Sequence, residues 1–229
     1  MSEKSAKISD MSASLPESRN TPRTRAQHKP GTDASIRKLI SKASPGKVFS
    51  AADFAHLGSR AAVDKALSRL RNEGKLRRLA RGIYDVPREH DIFGILEPEA
   101  STIAQSIERK SAVRLQPSGA YAANLLGLSE QVPLKPSFLT DGPSRTVIVG
   151  HQALVLKHTT PKNMATAGRI SGLVIQALRH LKKENIGPDM IASLKRRLTR
   201  EDKAVLKRDY PLAPVWIGNI MRELAEDDK

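Results

Sequence analysis

The chain has 229 residues, enough for one or two domains that each bury their own core. It contains no cysteine, which excludes disulfides, thiolate nucleophiles and cysteine-ligated zinc and fits a reducing compartment. Its formal net charge is +15, from 39 Lys and Arg against 24 Asp and Glu, an excess that favours polyanionic partners such as nucleic acid.

Residues 1–32 are rich in Ser, Pro and charged groups and poor in large apolar ones, so burial there cannot offset the entropy of ordering, and a disordered tail is expected. Its second part, residues 19–29 with Arg19, Arg23, Arg25, His28 and Lys29, contains no acidic residue. It suits either a flexible arm along phosphates or a merely solvated leader. The first thirty residues lack the continuous apolar segment of a signal peptide, and no apolar run is long enough to cross a bilayer. A soluble cytoplasmic protein with no membrane contact is expected.

Helical periodicity starts after Asp33. Ile36, Leu39, Ile40 and Ala43 recur at i, i+3, i+4 and i+7, and Ser44-Pro45-Gly46 ends that helix. Ser50 and Asp53 form an S-x-x-D start signal for a short helix carrying Phe54. The sequence His56-Leu57-Gly58 supplies a turn, and Ser59 is a good cap for a third helix that runs to about Asn72 with Val63, Ala66, Leu67 and Leu70 as its buried stripe. After Gly74, two short segments, 75–79 and 83–86, flank Ala80-Arg81-Gly82 and read as a hairpin. The apolar residues of its first strand do not alternate strictly, which leaves the inward face of that strand open.

Three short helices and a basic hairpin, in that order, predict a winged helix-turn-helix over residues 33–90. Residues 35–88 hold thirteen basic and four acidic groups, an excess of nine, whereas residues 89–229 have an excess of only four. In such a module the last helix lies in the major groove. With the apolar stripe inward, Ala61, Lys65, Ser68 and Asn72 point outward and Asp64 and Arg69 flank them. Arg60, Ala61, Lys65 and Arg69 are the leading candidates for base and groove contact, and Arg60 or Arg69 suits a bidentate pair with guanine. Lys65 and Ser68 equally suit phosphates, which position a protein without specifying sequence. In the hairpin, Arg77, Arg78 and Arg81 are candidates for the backbone or minor groove. For Arg77 and Arg78 an ion pair with Asp85 or Glu73 is the competing expectation. Tyr84 is expected in the core.

The segments Phe49-Ser50-Ala51-Ala52-Asp53-Phe54, Ser59-Arg60-Ala61-Ala62-Val63 and Gly74-Lys75-Leu76-Arg77-Arg78-Leu79-Ala80-Arg81-Gly82-Ile83-Tyr84 resemble the N-terminal module of AbiEi-type antitoxins, those of type IV toxin–antitoxin systems. The R-x-x-R-G-I-Y of the hairpin is the most specific piece. The resemblance implies a DNA-binding repressor that autoregulates its operon through operator repeats. It also implies a C-terminal domain that counteracts a nucleotidyltransferase-like toxin without a stable complex.

The second region, 93–229, predicts a mixed domain. Helices are expected over 98–110 and 118–126 and strands over 112–115 and 137–140. The runs 145–149 and 153–158 form a hairpin through Gly150-His151-Gln152. Further helices are expected from Gly168 to Gly187-Pro188, then over 189–198, 199–207 and 214–225. The whole reads as α+β, a winged helix-turn-helix domain followed by a mixed α/β domain with a largely helical C-terminal half. The basic cluster Lys195-Arg196-Arg197 reads either as a second nucleic-acid surface or as a solvated face balanced by Glu201 and Asp202.

No P-loop, dinucleotide fingerprint, nucleophile elbow or histidine pair with metal-ligand spacing occurs, and His151 and His158 read as ordinary hairpin residues. No catalysis, metal or cofactor is expected. Two other functions compete with the antitoxin repressor. One is a regulator whose second domain senses a ligand or partner, and the other is RNA binding. The latter is disfavoured by 3% aromatic content with no interleaving of aromatic and basic residues.

Overall fold

The computed structural model describes residues 31–226, and the basic arm of Arg19 to Lys29 lies outside them. Helix α1 (Thr32–Ser41) buries Ile36 and Ile40. Leu39, expected on the same face, is exposed, because the apolar stripe of this short helix is only two residues wide. A tight turn at Gly46 leads into a strand with no clear signal in the sequence, β1 (Val48–Ser50). Three residues are too few to show a period. The Asp53 carboxylate accepts from the Ser50 amide at 2.6 Å and its hydroxyl at 3.0 Å. That closes the expected start of a short helix, here a 3-10 helix over Ala51–Leu57 with Phe54 buried.

Helix α2 (Arg60–Asn72) buries the expected Val63, Ala66, Leu67 and Leu70, and the Ser59 hydroxyl caps it by accepting from the Ala62 amide at 3.3 Å. Strands β2 (Arg77–Ala80) and β3 (Ile83–Asp85) follow, turning at Arg81 and Gly82. Gly82 has φ +69, a left-handed conformation that glycine adopts without strain. Pairing slips between Arg78 and Ala80, so Leu79 is an inserted residue of a β-bulge. The bulge is why the apolar residues of this strand fail to alternate. β1 pairs antiparallel with β3 on its other side, and the order is β1-β3-β2. Two backbone bonds, Gly46 to Val86 and Val86 to Lys47, extend that pairing.

The stretch expected to join two domains is instead a second hairpin, β4 (Arg88–His90) and β5 (Gly94–Leu96), with Ile92 and Phe93 exposed at its turn. Helix α3 (Ala100–Ser111) follows and ends on Ala112 in the left-handed region. Residues 112–114 serve that termination, and the next strand therefore starts three residues later than expected, as β6 (Leu115–Ser118). Pro117 is tolerated there because β6 is an edge strand. After α4 (Gly119–Leu125), strands β7 (Ser137–Thr140), β8 (Arg145–Val149) and β9 (Gln152–His158) complete a sheet of order β6-β7-β9-β8. Its inner pair, β7 and β9, is parallel, and the others are antiparallel. A short helix α5 (Pro161–Met164) leads to α6 (Ile170–Leu181), α7 (Pro188–Arg197), α8 (Arg200–Asp209) and α9 (Val215–Ala225). The architecture is mixed α+β.

Three apolar clusters hold these elements. One is internal to residues 36–76 and built on Ile36, Phe54, Val63 and Leu67. Another is helical, on Val174, Leu178, Leu206, Ile217 and Met221. The third crosses the expected boundary near residue 90: Val48 and Ile83 pack with Ile103, Ile107, Phe138 and Leu154. The ion pairs Arg77–Glu97 and Arg109–Asp53 cross it too, so the two expected regions share a core.

Candidate nucleic-acid interface

The face of α2 opposite its buried stripe carries Arg60, Ala61, Asp64, Lys65, Arg69 and Asn72, all exposed, while Ser68 is half-buried at the edge. Arg60 pairs with Asp64 one turn on at 2.8 Å, with the arginine side chain 71% exposed. Arg69 reaches Asp33 of α1 at 3.4 Å. Pairs exposed to this degree are weak and exchange readily for a better anion. Lys65 makes no ion pair among the described residues. Behind the helix, Glu73 is tied to Arg37, whose guanidinium holds its carboxyl well below the usual carboxylate range, at about 2. Glu73 also pairs with Lys75 at 3.3 Å, and Arg37 and Lys75 rather than the hairpin arginines are its partners.

The three hairpin arginines differ. Arg77 lies against Asp85, which is fully buried, with its Nε and Nη2 donating at 3.1 and 2.8 Å to the two carboxylate oxygens. It donates also to Glu97 and to the Leu96 carbonyl, each at 3.1 Å. Bonding to Asp85 raises its pKa further above the ordinary arginine value. Arg77 is thus a tie between β2, β3 and β5, and the competing expectation of a pair with Asp85 is what the structure contains. Arg78 and Arg81 are exposed, and Arg78 bonds only weakly to the Ala80 carbonyl, at 3.4 Å. Tyr84 is half-buried against the cluster around Phe54.

One further cation stands at the hairpin tip. The Lys110 ammonium, on the last turn of α3, donates to the Arg81 carbonyl and lies beside Gly82. Burial, and then the charges of Arg60, Arg81 and Arg145, hold it below the usual lysine range. Lys110 is almost thirty residues from the hairpin along the chain, so no local pattern announces it.

Residues 35–206 match the model of a family described as one of unknown function, DUF6088. The chain belongs to the DUF6088 family. No curated protein matches it. Among solved structures, the RV2827C protein from Mycobacterium tuberculosis is similar at 16% identity and a TM-score of 0.41, over 88% of this chain and 84% of that one.

Elsewhere in this DUF6088 chain, the cluster Lys195-Arg196-Arg197 ends α7, where cations offset the helix dipole, and Arg197 donates to the Leu126 carbonyl at 2.9 Å. His158 bonds the Gly142 carbonyl at 2.9 Å, and His151 is exposed in the β8–β9 turn. Among the described residues no three His, Asp or Glu converge as metal ligands, and no helix is long and apolar enough to cross a membrane.

Proposed function

We propose that residues 32–87 form a winged helix-turn-helix that binds duplex DNA, with α2 in the major groove and the β2–β3 hairpin as the wing. The observation that carries this reading is two elements with exposed cations, Arg60, Lys65 and Arg69 on α2 and Arg78 and Arg81 on the hairpin, of which Arg60 and Arg81 both act on Lys110. The order of α1, β1, the 3-10 helix, α2, β2 and β3, with β1 beside β3, gives further support. In this reading Arg60, Ala61 and Arg69 meet base edges, Lys65 and Ser68 sit at their margin, and Arg78 and Arg81 meet phosphates or the minor groove. Arg77 is a structural tie rather than a contact.

The biological role that fits is a cytoplasmic, non-catalytic repressor of the AbiEi antitoxin type, which binds operator repeats and counteracts a nucleotidyltransferase-like toxin. Support for the antitoxin part is the resemblance of residues 74–84. Binding of the purified chain to the DNA upstream of its own gene, measured across salt concentrations, tests the reading. Arg81→Ala is expected to weaken binding on all sequences and flatten the salt dependence by about one unit of slope, whereas Arg60→Ala changes base preference. Wild-type affinity in both variants would remove this interface. Rescue of cells from the product of the adjacent gene tests the antitoxin role.

A further inference from the structure

Two cations from separate elements, Lys110 of α3 and Arg145 of β8, meet beside the hairpin tip, and the charges of Arg60 and Arg81 act on the first of them. Lys110, at the end of α3, bonds the Arg81 carbonyl, and a Cβ on Gly82 would sit 3.8 Å from its ammonium. Arg145, the first residue of β8, donates to Ser111 Oγ at 3.2 Å, which brings its guanidinium over the same end of α3. Lys110, Ser111 and Arg145 share the wall of an open cleft of about 420 Å³ with Ile83, Ile107 and Val147, and no carboxylate lines it. The charge of Arg60, from the first turn of α2, also helps to hold Lys110 below the usual lysine range, with those of Arg81 and Arg145. The partner of Arg60, Asp64, forms an exposed pair that exchanges readily. Gathering like charges costs free energy that an anion with several oxygens relieves, because each cation then gains a charge-assisted hydrogen bond.

We propose that Lys110 and Arg145 form a clamp for a backbone phosphate of duplex DNA, set between the hairpin tip and the α3–β8 edge of the second region, with Arg60 and Arg81 adding to the positive potential around it. This rests on the DNA-binding reading above and extends it. The footprint includes α3 and β8, so the binding unit is larger than the N-terminal module. Lys110 has two tasks in it: its bond to the Arg81 carbonyl holds the hairpin tip, and its remaining donors face the phosphate.

The test uses the full chain and fluorescence anisotropy with duplex DNA at several salt concentrations. Lys110→Gln and Arg145→Gln are each expected to weaken binding about 3- to 10-fold and reduce the salt slope by about one, with Lys110→Arg close to wild type. Because the chain has no cysteine, Arg145→Cys carrying a photo-crosslinker is expected to attach to duplex DNA. It provides the readout should Lys110→Gln fail to fold. If Lys110→Gln and Arg145→Gln bind like wild type while Arg81→Ala binds weakly, the clamp is overturned and the DNA-binding reading stands. If the wild-type chain shows no salt-dependent binding to duplex DNA, or prefers structured RNA, both fall.

Discussion

The Asp85 carboxylate is fully buried, and a charge so placed needs a matching cation and a full set of donors. Arg77 supplies both, through two bonds to Asp85 and a third contact to Glu97. Arg81, four residues on, is exposed, and its backbone carbonyl accepts from Lys110. Two arginines of one hairpin thus answer to different tests. Arg77→Ala is expected to cost about 3 kcal/mol in urea unfolding, the lower end for a broken buried pair, since water partly reaches Arg77. Arg81→Ala, an exposed change, is expected to stay within about 0.5 kcal/mol of wild type. An Arg77→Ala loss below about 1 kcal/mol would show that the pair is not what joins these strands.

At the scale of elements, the second region depends on how closely α6 approaches β6. Gly172 lies on the buried face of α6, and a Cβ there would come within 2.3 Å of the Thr166 carbonyl oxygen and 2.4 Å of Gln116 Oε1. The first neighbour is backbone and cannot swing aside. Gly172→Ala is therefore expected to destabilise by about 1–3 kcal/mol even though alanine is the better helix former, seen as a lowered midpoint in chemical denaturation at unchanged m-value. An unchanged or raised midpoint would mean that helix propensity outweighs packing here. The same helix is anchored through Ser171, whose hydroxyl donates to Asp209 at 2.6 Å, with Arg169 and Arg208 also on that carboxylate.

At the scale of the whole molecule, Val48 and Ile83 place the sheet of the N-terminal segment in the same core as α3 and the four-stranded sheet. Elements that share a core unfold together. Ile83→Ala is expected to destabilise the protein by about 2–5 kcal/mol. The loss should register at Trp216, the only tryptophan, which packs in the distant helical cluster. Tryptophan fluorescence and far-ultraviolet circular dichroism should give one coincident transition, shifted equally by the substitution. A shift in the dichroism alone would mean that the N-terminal segment unfolds independently.

Much of this fold was legible along the chain. The stripe of α2, its serine cap and the Ser50–Asp53 start are local, and strands over 137–140 and 145–149 stand where apolar and β-branched residues cluster. Local chemistry determines these because a helix face, a cap or a hairpin turn is decided within a few residues of itself. The strands β1, β4 and β5 and the bulge at Leu79 were not legible, since three-residue pairings and slips in register exist only once a partner strand is in place. The same distinction divides the arginines and lysines. The sequence by itself placed a cationic excess in residues 35–88. Only the tertiary structure decided that Arg77 is consumed by buried Asp85, and that Lys110 and Arg145 arrive from distant segments beside the hairpin tip. Charge is a property of each residue, but its availability depends on which partners folding brings within a few ångströms.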